Sequence, residues 1–224
     1  MQNILMTLGL MASIAIAIPT NDKYSIRSAS DELTGPMAPM LFTGPVTVGG
    51  PDVELQGTAK EIYDQVLKLN PSYDPWDFPD FQASMAADGV TKAQWDEEHA
   101  NGTLAVRSSA NTLEARQSFD CNWGGWVRTW GDCIEGMDYL RRLGTAWCGA
   151  PAHACSRVSC SHNCGIFLCS QQNSEMRVHC KDIANDVGRI YTACGREVFG
   201  GAMNQLRGKM NFGSHATGVQ SQSC

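Results

Sequence analysis

The clearest helical pattern lies in the last third of the chain. From Cys180 the apolar positions run Cys180, Ile183, Val187, Ile190 and Cys194, three and four apart, and Ala184 and Tyr191 widen the stripe. Gly195 follows as a stop. Just upstream the period changes to two. In Gly165 to Cys169, Ile166 and Leu168 point one way and Phe167 and Cys169 the other; Ser156 to Cys160 alternates likewise, with Val158 and Cys160 on one face. A further helix is predicted over Asp132 to Leu143. Asp132 serves as its cap with Glu135 behind it, Ile134, Met137, Leu140 and Leu143 recur every third residue, and Gly144 ends it. Gly136 weakens this helix. Arg141 and Arg142 suit its C-terminal dipole as a solvated end. Arg207 to Phe212 and Ala216 to Gln220 read as two last strands. The order helix, two strands, helix, two strands predicts an α+β domain: a small antiparallel sheet with two helices on one face.

The earlier half is patterned differently. Residues 4–17 are apolar and uncharged, too short to span a bilayer at about 20 residues. Ala15-Ile16-Ala17 has the small-x-small form of a cleavage site, so residues 1–17 read as a secretory signal rather than an anchor. From there to about Gln56, Gly, Pro, Thr and Ser are frequent without periodicity, which predicts loose chain. Thr58 to Leu69 is one helix, with Thr58 and Glu61 as a capping box and Ile62, Val66 and Leu69 along one face. The run from Pro71 to Phe81 sets four aromatics among prolines and acids and is expected to be irregular, or to fold only on a partner such as the cysteine-rich domain. A short helix is expected from Thr91 to His99, with Trp95 on its apolar side. Asn101-Gly102-Thr103 is an N-glycosylation sequon.

Cysteine and charge both change near residue 117. All ten cysteines, Cys121, Cys133, Cys148, Cys155, Cys160, Cys164, Cys169, Cys180, Cys194 and Cys224, lie beyond it. At about 9% of that stretch they have the density of a disulfide scaffold, and an even count in a secreted chain favours full pairing. Residues 1–116 hold 7 Lys and Arg against 15 Asp and Glu; residues 117–224 hold 10 against 8. Two copies of Leu-x-x-Arg, ending at Arg107 and Arg116, precede the change and resemble the processing sites of secreted fungal pro-proteins. The expected organisation is a signal over residues 1–17, a mostly irregular pro-segment over 18–116, and a mature cysteine-rich domain over 117–224.

Candidate chemistry is sparse. Trp123, Trp126 and Trp130 open the cysteine-rich part, either as an exposed aromatic platform for sugars or membrane interfaces or as cover for a small core; the area each ring buries favours cover. His153, His162, His179 and His215 lie in no nucleophile or metal motif. His162 or His179 with Glu175 and Arg177 is the nearest thing to a ribonuclease-like set. Cys160 and Cys164 around His162 have zinc-like spacing, but disulfides are expected to claim them. No catalytic residue, metal or cofactor is therefore predicted. A net charge near +2 beyond residue 116 is too small for nucleic-acid binding.

The sequence of landmarks Cys155-Ser-Arg-Val-Ser-Cys160, Ile166-Phe-Leu-Cys169, Cys180-Lys-Asp-Ile-Ala184, Ile190 to Cys194, Gly200-Gly201 and Cys224 resembles a broad group of secreted, cysteine-rich fungal effector proteins. More distantly it is similar to the small killer toxins of smut fungi and their α/β-sandwich fold. The resemblance covers about residues 121–224. It implies the pairings Cys148–Cys180, Cys155–Cys169, Cys160–Cys224 and Cys121–Cys194, leaving Cys133–Cys164. It also implies an extracellular effector or toxin, monomeric and not membrane-inserted, that acts by binding an unidentified protein or glycan of a host or competitor. A secreted hydrolase and a cell-wall-binding module are the alternatives.

Overall fold

The computed structural model describes residues 37–101, 117–201 and 203–224. The signal, Arg107 and Arg116 lie outside the described residues, and so does the sequon beyond Asn101. The chain is α+β and disulfide-rich, but its sheet is neither small nor purely antiparallel. In the acidic part, β1 (Ala38–Pro45) and β2 (Asp52–Gly57) form a hairpin. Helix α1 (Ala59–Leu69), a 3₁₀ turn at Pro75–Asp77, α2 (Pro79–Ala87) and α3 (Lys92–Asn101) follow. In the cysteine-rich part come β3 (Ser118–Asp120), α4 (Gly131–Arg142), β4 (Trp147–Ala150), β5 (Cys155–Ser161), β6 (Cys164–Ser170), β7 (Met176–His179), α5 (Cys180–Cys194), β8 (Arg196–Val198), β9 (Met203–Gln205), β10 (Gly208–Asn211) and β11 (His215–Ser221). The main sheet runs β3-β10-β11-β6-β5-β1-β4-β7, with β2 added to β1.

The expectation of a loose chain up to Gln56 is thus corrected. β1 sits inside the sheet, parallel to β5 at Ala38 and Pro39 and antiparallel to β4 from Leu41 to Thr43. Its alternation is real: Ala38, Met40 and Phe42 are buried while Leu41 and Thr43 face outward. Leu41 on the outer face and the Gly44-Pro45 that follows hide that period in the sequence. The stretch from Pro71 to Phe81, expected to be irregular, holds a 3₁₀ turn and the start of α2, while it does order against the cysteine-rich part, where Tyr73 and Phe78 join the main core. Asp74 accepts from the Trp76 amide at 2.9 Å, and Pro75 and Pro79 each take a first-turn position, where a missing N–H costs nothing. The aromatics become packing: Phe81, Trp95 and Met85 form a satellite cluster against Trp76 and Phe78.

Helices α4 and α5 cover one face of the sheet, and α1 packs beside α4. Thr58 and Glu61 make the expected capping box on α1, and Thr91 caps α3 through a reciprocal bond with Gln94. Asp132, expected as the cap of α4, lies in its first turn instead, and Trp130 holds the cap position without a side-chain bond. Gly136 has a packing reason: an added Cβ would stand 2.3 Å from the Ser159 hydroxyl. Arg141, expected to be solvated, is buried, while Arg142 pairs with Asp138 at 2.7 Å.

All ten cysteines are paired, as Cys121–Cys194, Cys133–Cys164, Cys148–Cys180, Cys155–Cys169 and Cys160–Cys224. These are the pairings that the resemblance implies. One strand detail differs from expectation. A bulge between Arg157 and Ser159 breaks the alternation of β5, so Val158 enters the core while Cys160, opposite Gly165, reaches out to Cys224.

Candidate ligand-binding cleft

The outer face of the sheet is ordered by the register of four strands. Thr43 on β1 stands opposite Glu54 on one side and Trp147 on the other, and Trp147 stands opposite His179. The next row reads Gln56, Leu41, Gly149, Arg177. Residues directly opposite share a face. The intervening row of Leu55, Phe42, Cys148 and Val178 turns inward to the helices. Trp147 is left 41% exposed, one of the few large apolar side chains so placed among the described residues.

Trp147 is nevertheless held. Its ring stacks on His179, with centroids 4.1 Å apart and planes 24° apart. His179 Nδ1 lies 2.5 Å from the Thr145 carbonyl. A carbonyl only accepts, so Nδ1 carries the proton and fixes the ring. In the next row Gly149 is closely approached by its neighbours: an added Cβ would stand 3.0 Å from the Met176 carbonyl and 3.5 Å from Glu175, which pairs with Arg177 at 2.6 Å.

A cleft of about 310 Å³ opens at this end of the strands, near the lower end of the range for small-ligand sites. The acidic part contributes Asp52, Tyr73, Phe78 and Asp80 to its lining; the cysteine-rich part contributes Gly144, Trp147 and His179. Gly144 is required in two ways. Its φ is +67°, and an added Cβ would stand 3.2 Å from Phe81. The Tyr73 hydroxyl donates to the Leu143 carbonyl at 3.3 Å, which pins the aromatic wall to the end of α4. Burial raises the Tyr73 phenol beyond the ordinary tyrosine range, so it stays a donor. Among the described lining residues the only charged side chains are carboxylates, with His179 the one other titratable base. An indole face next to carboxylates suits the C–H face of a sugar ring or an organic cation.

The other sequence candidates lie apart. Trp123 is buried edge-on against Phe167, and Trp130 stacks on Tyr191. Trp126 lies between Arg196 and Arg207, whose guanidinium carbons are 3.7 and 4.5 Å from its ring centre. The three rings thus form no shared platform: Trp123 and Trp130 serve as cover, and Trp126 is held between two arginines. Of the ribonuclease-like set, His179, Arg177 and Glu175 share one edge, but His162 sits in the β5–β6 turn, 3.5 Å from Glu135. His153 contacts Asn173. His215 stacks on Phe212 and is held by burial down to about 4. Among the described residues no three His, Cys, Asp or Glu side chains gather as a metal site. Trp147 escaped the sequence reading. Its signal is a large apolar residue out of phase with the buried Cys148 beside it, and only strand register shows which face it takes.

One further titrating group is structural. Asp186 on α5 is buried, and burial pushes its carboxyl up to about 7 against the opposing effect of the Thr217 hydroxyl, which donates to it at 2.8 Å. The folded chain therefore holds this proton where the unfolded chain has released it. Its contribution to stability is full below the ordinary carboxylate range and falls as pH rises from about 4 to about 7. His215 acts in the opposite sense, costing stability as pH falls from about 6.5 toward about 4. Asp186→Asn should therefore match the parent near pH 4 and exceed it by about 2–4 kcal/mol at pH 8. Urea denaturation at the two values checks this; a difference independent of pH would refute it.

Compared with known families, curated proteins and solved structures, the chain matches none.

Proposed function

We propose that this is a secreted fungal effector- or toxin-like protein that acts by binding, and that it meets its target through the cleft at Trp147. The observation that carries the reading is the exposed Trp147 ring, fixed against His179 beside a cleft walled by aromatics and carboxylates. An exposed, immobilised indole offers contact area at little entropic cost, as binding hot spots do. Five disulfides support an extracellular setting, since such frameworks persist under oxidising conditions. No helix among the described residues is long and apolar enough to cross a membrane. The aromatic-plus-carboxylate lining favours a glycan among the candidate targets.

Trp147→Ala tests the reading. The side chain lies on the outer face, so its loss should move the melting temperature little. The response of plant or fungal cells to the purified protein, and its signals on an oligosaccharide array, should both fall at least tenfold. A folded variant as active as the parent in both assays would remove the cleft from consideration.

A further inference from the structure

We propose that the acidic part, residues 38–101, is a permanent subunit of the fold, so that cutting the chain between residues 102 and 116 leaves a two-chain protein held together without any covalent bond.

All ten cysteines lie in the cysteine-rich part, and every bridge joins two of them. The peptide link through residues 102–116, where both Leu-x-x-Arg sequences lie, is thus the one covalent connection between the parts. The non-covalent connection is extensive. β1 is an interior strand whose backbone pairs with β5 and β4, both from the other part. Met40, Phe42, Ile62 and Val66 lie in the same core cluster as Met137, Leu140, Ile183 and Val187. Polar contacts cross as well: the Ser156 hydroxyl donates to the Pro39 carbonyl at 3.1 Å, and Lys181 reaches Asp88 at 3.6 Å. His99 on α3, its side chain largely covered, lies 2.9 Å from Asp138 on α4.

An interior strand with both edges paired has no low-cost route out. Leaving would unpair β4 and β5 and open the core in one step. Processing then removes a tether and leaves the strand in place. The cleft, lined by both parts, survives the cut. This inference rests on the shared sheet and core and stands whether or not the cleft binds a glycan.

The test uses the full secreted chain, folded and oxidised, with Leu113 to Arg116 replaced by the recognition sequence of a specific protease. After complete cutting, both pieces should elute together at the volume of the uncut chain in size-exclusion chromatography. They should separate in concentrated urea without reductant. Amide protection at Leu41 to Gly44 should stay within tenfold of the uncut value. Elution of residues 117–224 alone in plain buffer, or a hundredfold loss of that protection, would overturn the proposal.

Discussion

Produced from Gln117 onward, the cysteine-rich part should fail to fold cooperatively. Without β1 the main sheet loses an interior strand, and the edges of β4 and β5 stand open. Met40, Phe42, Ile62 and Val66, each 0–1% exposed, leave the core together with Ala59. Truncating one such side chain costs about 2–5 kcal/mol. Losing four, together with the strand, exceeds the roughly 5–15 kcal/mol that holds a whole domain. The expected product binds a hydrophobic dye, lacks near-ultraviolet circular dichroism and melts without a transition. A sharp melt with native disulfides would show that residues 117–224 fold alone. Cutting after folding should behave differently, because the strand is then already paired. The acidic part thus has a task in assembly whether or not it is released later.

Reduction should have the next largest effect. Cys133–Cys164 and Cys148–Cys180 lie within the core cluster and close loops of 31 and 32 residues. Cys160–Cys224 ties the end of the chain at the surface. Each bridge contributes about 2–4 kcal/mol by restricting the unfolded chain. Loss of all five, about 10–20 kcal/mol, therefore matches or exceeds ordinary domain stability. Reductant in moderate urea should unfold the protein, while the oxidised form in the same urea stays native. Among single-bridge alanine pairs, the two buried bridges should cost most, because their loss also leaves a cavity in the core, and Cys155–Cys169, which closes only 14 residues, least. Equal midpoints for all five variants would mean that burial does not set the ranking.

Local chemistry made much of this fold readable from the sequence. Thr58 with Glu61 marks the start of α1, the apolar stripe from Cys180 to Cys194 marks α5, and the two-residue period of Ile166 to Cys169 marks β6. Each signal lies within a few residues of the structure it specifies, so no tertiary knowledge is needed to see it. The confinement of all cysteines to one part is equally plain, but spacing alone leaves their pairing open, and the implied pairs came from resemblance.

What the sequence by itself determined is the class of the protein: α+β, disulfide-stapled, with an acidic part ahead of a cysteine-rich one. Tertiary structure alone decided that the two parts share one sheet. Ala38 to Pro45 carries strand alternation next to the glycine and proline that usually mark a loop, and pairing with β4 and β5, more than a hundred residues away, settles the conflict in favour of the strand. The bulge at Val158 and the outward face of Trp147 follow from the same cause. A strand's faces are set by register with its neighbours, and a shift of one residue exchanges inside for outside. The cleft could not be read in advance because its walls come from Asp52, Tyr73, Trp147 and His179, far apart in the chain and adjacent only once the sheet is built.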